Sequence, residues 1–178
     1  MLSHPPASPR LEFRPLTVEA IEALIAGDRE SLEAETRATF PEPLSAPPEM
    51  DHALPAMRDS LCDDPESAAW GPFLIVAKET GEAVGSAGFS SPPDRDGYRA
   101  LGYSVYPSFQ GQGIASEATS VLVAWALTQP GLCGVRATIP PWHVASQRVA
   151  AHAGLRRTSR METDPEEGPV EVWERSRE

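Results

Sequence analysis

The stretch Gly102–Thr119, GYSVYPSFQGQGIASEAT, decides how the chain folds. Its first part belongs to Tyr98–Tyr106 (YRALGYSVY), whose aromatic and branched side chains suit a strand. Its last part opens a helix over Gly113–Thr128. Ala115, Ala118, Thr119, Leu122 and Ala126 lie on one face of that helix at i, i+3, i+4, i+7 and i+11. Between strand and helix stands Gln110-Gly111-Gln112-Gly113-Ile114-Ala115. Glycine lets the backbone enter conformations closed to other residues and lets a ligand come close. The helix start adds unpaired N–H groups and the positive end of a dipole. Together these features make an anion site suited to a pyrophosphate, although an ordinary tight turn can look the same.

Upstream, Leu11–Leu16 (LEFRPL) alternates like a half-buried strand. Thr17 is placed to cap a helix through about Ala26, and Asp28 to cap a second through about Thr39. Phe40–Pro48 is too proline-rich for regular structure, and Glu49–Asp63 reads as an acidic helix disturbed near Pro55. Trp70–Lys78 and Ala83–Phe89 form a hairpin around Thr80-Gly81. Downstream, Gly134–Ile139 alternates as a strand, and Ala145–Ala153 is a short helix stopped by Gly154. Leu155–Glu162 and Val170–Arg175 are strands around the acidic turn Asp164–Gly168. The order of elements predicts an α+β or mixed α/β domain. Residues 1–9 are expected to be a flexible start, and 10–178 a single domain.

Composition excludes several classes. The 178 residues suit one domain with a full core. Hydrophobic content of 40% and charged content of 23% argue against general disorder. A net charge of −11 argues against a duplex nucleic-acid binder. No apolar run approaches the roughly 20 residues that span a bilayer. MLSHPPASPR lacks a secretory h-region, so a cytoplasmic protein with no membrane or nucleic-acid partner is expected. Cys62 and Cys133 are far apart and read as reduced thiols. His4, His52 and His152 share no ligand spacing, and no metal is expected. Charge is uneven: residues 1–100 carry 8 basic and 18 acidic side chains, whereas residues 101–160 carry five arginines and the single acid Glu117. The basic stretch is the expected host of an anionic ligand. The acids of Ala20–Asp64 are either solvated surface or a device for steering a cationic substrate.

Two phosphate-binding templates fail. GxxxxGK[ST] needs a lysine, and none follows Gly113. The dinucleotide fingerprint needs a third glycine or alanine where Ser116 stands, and an acid about 20 residues on, where none occurs between Glu117 and Glu162. A dinucleotide oxidoreductase is thereby disfavoured.

The pattern Gln110-x-x-Gly113-x-Ala115 instead resembles the acyl-CoA pyrophosphate loop of the GNAT N-acetyltransferases. The resemblance runs over about residues 10–175. It takes in the strand Leu11–Leu16, the hairpin Pro72–Gly85, Gly102–Pro107, Glu117-Ala118, and the helix His143-Val-Ala-Ser146-Gln-Arg148-Val149 through Gly154-Leu155. Its nearest likeness is to the RimJ/RimL-like branch, whose members acetylate ribosomal-protein N-termini, with many relatives acting on small amines. The resemblance implies a GNAT fold: a central, mostly antiparallel sheet of about seven strands, splayed between strands 4 and 5 and flanked by helices. It implies acetyl-CoA as co-substrate, with a primary amine (a protein N-terminus or small cationic amine) attacking directly. Backbone groups around Val105 and Tyr106 would pair with the pantetheine arm. The amides of Gln110, Gly111, Gln112, Gly113, Ile114 and Ala115 would hold the pyrophosphate.

The same resemblance places Ser146 near the sulfur, as a proton donor to the leaving thiolate or as a helix cap. His143 stands where the family has an asparagine that contacts the cofactor arm; an imidazole can donate such a bond or act as a base. Ala100 replaces the carboxylate that many of these proteins carry in the fourth strand. Tyr103 and Tyr106 are alternatives for proton relay, though strand aromatics usually serve the core. Glu117 is expected to stabilise the loop, and Arg148 to meet a phosphate or solvent. The alternative reading is a protein of the same fold that binds CoA without catalysis. Both a monomer and a homodimer fit.

Overall fold

Seven strands form one sheet in the order β1-β2-β3-β4-β5-β7-β6. They are β1 Leu11–Pro15, β2 Phe73–Ala77, β3 Ala83–Phe89, β4 Tyr98–Val105, β5 Gly134–Ile139, β6 Arg156–Asp164 and β7 Gly168–Ser176. The computed structural model describes residues 4–48, 50–90 and 92–177. All neighbouring strands run antiparallel except β4 and β5. Helices α1 Val18–Ala26, α2 Arg29–Thr36 and α3 Leu54–Asp63 precede the second strand. Helix α4 Ile114–Thr128 joins β4 to β5, and α5 Val144–His152 follows β5.

Each sheet face carries its own core. In β2, Phe73 and Ile75 join the cluster of Ala118, Leu122 and Val123 of α4, whereas Leu74 and Val76 join Ile21, Leu32 and Leu61 of the N-terminal helices. This two-sided burial explains why β2 is a continuous apolar run rather than an alternating one. The expected caps are present: Thr17 accepts from the amide of Ala20, and Asp28 from that of Ser31.

The feature that shapes the molecule is the short β4–β5 pairing. Only Tyr98, Arg99 and Ala100 register with Gly134, Val135 and Arg136. Beyond them the strands separate, and β5 pairs along its whole length with β7 instead. Gly134 is needed at this junction: a Cβ there would lie 2.3 Å from the Tyr98 ring.

Three details differ from the sequence reading. α3 begins at Leu54 rather than at 49, with Pro55 inside its first turn, where a proline costs the helix no hydrogen bond. Pro65–Trp70 is a 3-10 turn, so the hairpin strand starts at Phe73; Trp70 packs against Trp125 at 5.2 Å between rings. Within the start expected to be flexible, the described residues from 4 onward make contacts with the domain. The His4 ring meets Phe73 edge-on at 5.9 Å, Lys78 donates to the Ser8 carbonyl, and the Ser8 hydroxyl donates to Glu117 at 2.6 Å.

Candidate active site

Opening the sheet between β4 and β5 leaves backbone groups without a strand partner. Tyr106 gives its N–H to the Val84 carbonyl, and Ser90 donates to the Ala100 carbonyl, so even-numbered residues of β4 face β3. By alternation the N–H and C=O groups of Leu101, Tyr103 and Val105 face the gap. The Val105 carbonyl is occupied by the Gln110 side-chain amide at 3.0 Å, which ties the loop to the strand end. Tyr106 differs from its expected position beside Val105. Its N–H is spent on β3, its carbonyl accepts from the Phe109 amide at 2.9 Å, and its ring is buried, with the hydroxyl donating to the Ser45 carbonyl at 2.8 Å. Burial pushes its phenol well above its ordinary range, so it serves as an anchor for the 41–48 loop.

At the near end of the gap lies the glycine loop. Gly111 and Gly113 both have left-handed backbone, with φ of 75° and 77°. Gly113 is the N-cap of α4 and has no side chain to cap it, so among the described residues no N-cap side chain takes the first-turn amides. Nothing lies within 4 Å of a Cβ placed on Gly111. Gly111, Gly113, Ile114 and Ala115 line a cleft of about 740 Å³ that continues along β4 to Ser146. Gln112 instead turns its amide to the Ser108 carbonyl and gives its own carbonyl to Arg10 at 3.2 Å.

A clasp outside the loop fixes its position. Glu117 accepts from the Arg10 amide at 3.1 Å and pairs with the Arg10 guanidinium at 2.6 Å. Burial pushes this carboxyl up, but the bonds from Ser8 and Arg10 outweigh it and hold it below the usual carboxylate range. The expected loop-stabilising role of Glu117 thus comes with partners, Ser8 and Arg10, that the sequence did not signal.

At the far end the cleft meets α5. The Tyr103 hydroxyl reaches the Ser146 hydroxyl at 2.8 Å and donates to the Ser146 carbonyl at 3.0 Å. Burial pushes the Tyr103 phenol above its ordinary value, partly offset by the bond to Ser146. The pair is two neutral hydroxyls in hydrogen-bond contact at the end of the cleft. Its members come from strand and helix, 43 residues apart, and only the tertiary fold joins them. His143 is the N-cap of α5: its Nδ1 accepts from the Ser146 amide at 3.4 Å. The neutral ring then carries its hydrogen on Nε2. The ring stacks on the exposed Trp142 at 5.3 Å and lines the cleft.

Charge in the cleft is sparser than the sequence implied. Arg136 is held by Asp94, Asp96 and Glu174; Arg157 by Glu171; Arg160 by Glu162 and Glu174. Of the five arginines in residues 101–160, Arg148 alone lines the cleft, exposed. The acids that reach it come from the β6–β7 turn: Asp164, Glu166 and Glu167, with Glu166 3.0 Å from His52. Of the acids in Ala20–Asp64, Glu49 lies outside the described residues, and none of the others lines the cleft. Among the described residues no group of three His, Cys, Asp or Glu is gathered for a metal, and no helix is long and apolar enough to cross a membrane.

Comparison with known proteins agrees with this architecture. The profile of the acetyltransferase (GNAT) domain family matches residues 10–156. The chain is 24% identical over 149 residues to the uncharacterized N-acetyltransferase YjdG of Bacillus subtilis (strain 168), covering 82% of this chain and 86% of that protein. Among solved structures, the ribosomal L7/L12 alpha-N-protein acetyltransferase RimL in complex with coenzyme A superposes with a TM-score of 0.68 at 17% identity, over 98% of both chains. RimJ of Mycobacterium smegmatis, in complex with CoA-disulfide, superposes with a TM-score of 0.64 at 21% identity, over 93% of this chain and 81% of that one. With the profile spanning most of the chain, from the first strand into β6, and the splayed sheet and glycine loop standing where that fold has them, this protein belongs to the GNAT acetyltransferase family.

Proposed function

We propose that this protein transfers the acetyl group of acetyl-CoA to a primary amine by direct attack, without a covalent enzyme intermediate. The observation that carries this reading is the continuity of one cleft. It runs from the uncapped first turn of α4, past the open backbone of β4, to the Tyr103–Ser146 pair. An anion at one end and a reacting centre at the other is the layout a CoA thioester needs.

The fit rests on donors that have no other use. The amides of Gly111, Gly113, Ile114 and Ala115 hold the pyrophosphate at a helix N-terminus. The N–H of Val105 and the open groups of Tyr103 and Leu101 take the extended arm as an added strand. His143 presents Nε2–H to the same arm while its Nδ1 caps α5, and Arg148 answers the phosphates with its charge. The co-substrate supplies an activated acetyl carbonyl. The amine nitrogen bonds to that carbon, the C–S bond breaks, and the amine proton passes to water. Ser146, hydrogen-bonded to the Tyr103 hydroxyl, delivers a proton to the departing sulfur, and water returns a proton to the pair.

The test is release of free thiol from acetyl-CoA across a panel of primary amines and N-terminal peptides. Turnover with at least one acceptor is expected. Gly113→Asp puts a carboxylate in the anion cradle and should weaken acetyl-CoA binding at least tenfold by calorimetry. Unchanged affinity in that variant would move the site elsewhere.

A further inference from the structure

The CoA cleft has a neighbour. A second cavity of about 580 Å³ lies on the face covered by the N-terminal helices and shares Pro48 and Leu101–Ser104 with the cleft. It therefore opens onto the stretch of β4 where the acetyl group would be held, from the side opposite the glycine loop. Its volume lies within the roughly 300–1,000 Å³ of small-molecule sites.

The lining is unlike an acid-lined site. Met50, ahead of α3, and Met57 and Leu61 of α3 form its apolar wall and belong to, or pack on, the N-terminal core. Among the described residues that line it, the single ionisable side chain is Tyr103. Five serines supply its polar groups, and three are already occupied. Ser67 donates to the Asp64 carbonyl, Ser104 donates to the Pro48 carbonyl, and Ser90 accepts from the Ala100 amide. Ser86 is different. It is 2% exposed, sits in the sheet floor opposite Ser104, and its hydroxyl has no partner among the described residues. The oxygen keeps contact with the open space of the cavity and is free to meet a ligand there. Among the described lining residues there is no fixed charge to balance a second ammonium, and desolvating one against Met50, Met57 and Leu61 would be costly.

We propose that this cavity selects a compact primary amine carried on an uncharged, apolar aryl or alkyl body, with the Ser86 hydroxyl hydrogen-bonding the amine beside the acetyl group. The inference rests on the acetyl-transfer reading and sets its acceptor class against the cationic amines that the acidic composition suggests. The body lies against Met50, Met57 and Leu61, whose flexible thioethers adapt to its shape.

Two readouts test it on the full-length protein. The first compares kcat/KM for 2-phenylethylamine and for putrescine; a ratio of at least ten in favour of 2-phenylethylamine is expected, and Met57→Asp should bring that ratio close to one. The second needs no turnover: the thermal midpoint of the CoA-loaded protein should rise with 2-phenylethylamine or its alcohol analogue 2-phenylethanol and stay unchanged with putrescine. Equal or better turnover and binding of putrescine overturns the proposal, as does the absence of any midpoint shift with the aryl compounds. A shift with the aryl compounds but no thiol release with any amine keeps the apolar site and overturns the acetyl-transfer reading instead. Ser86→Ala should lower kcat/KM for the amine several-fold while leaving the 2-phenylethanol shift in place.

Discussion

A serine in a helix start is ambiguous until its neighbour is known. For Ser146 that neighbour is Tyr103, 2.8 Å away, and the two hydroxyls face the cleft as a unit. Tyr103→Phe should lower kcat by about tenfold or more, the scale of one lost proton donor, with acetyl-CoA affinity within about twofold. Ser146→Ala should do the same, and the double variant should be little worse than either, because both remove one relay. Since burial holds the phenol above its ordinary value of 10.0, the hydroxyl stays protonated through neutral and mildly basic pH, and kcat should show no decline from Tyr103 between neutral pH and about pH 9. A basic limb near pH 8 that disappears in Tyr103→Phe would overturn this. Glu117 gives the opposite sign. Its bonds to Ser8 and Arg10 hold it below its ordinary 4.5, so its contribution is full above that value and is lost as pH falls through the lower folded value. Glu117→Gln should therefore cost about 1–3 kcal/mol at neutral pH by urea unfolding, and the gap to the parent should close on acidification.

Elements were legible where pattern and packing agree. β3 and β5 lie on the ranges expected, because each is bounded by turn residues and one period runs throughout. The glycine loop was legible for the same reason: only glycine suits φ values of 75° and 77° at two alternate positions. What the sequence hid depends on distant partners. Nothing local says that Ser8 and Arg10 are held by Glu117, that His143 caps a helix through Nδ1, or that most arginines of the basic stretch are consumed by acids from the β3–β4 loop, β6 and β7. Ser86 carried no signal beyond its place among small residues of β3, and its importance is that it lines the cavity with a hydroxyl that no other described residue engages. The β4–β5 junction is the element on which the splay depends. Gly134→Ala would drive a methyl into the Tyr98 ring, whose hydroxyl is held by Ser176 at 2.8 Å. Destabilisation by about 1–3 kcal/mol is expected, read as a lower urea midpoint. The same strain at the hinge of the gap should also raise KM for acetyl-CoA.

At the scale of the molecule, one sheet separates two cores, and each core backs a different cavity. The α4–α5 side supports the cleft with the glycine loop, while the N-terminal helices wall the cavity over Ser86. The sheet joins the two mechanically, yet their side-chain packing is distinct, so damage to one need not reach the other at the level of ligand contacts. Leu122 of α4 and Leu32 of α2 are both fully buried, one in each core. Truncating either to alanine should cost about 2–5 kcal/mol, since both leave a cavity of similar size. Their functional signatures should differ. Leu122→Ala loosens the helix whose first turn is the proposed anion site, so acetyl-CoA affinity should fall. Leu32→Ala loosens the packing behind Leu61 and Met50, so KM for the amine should rise while acetyl-CoA affinity, measured by calorimetry below the melting range, stays within about twofold. If Leu32→Ala weakened acetyl-CoA as much as Leu122→Ala did, the two cores would act as one cooperative support, and the division of labour between the faces of the sheet would not hold.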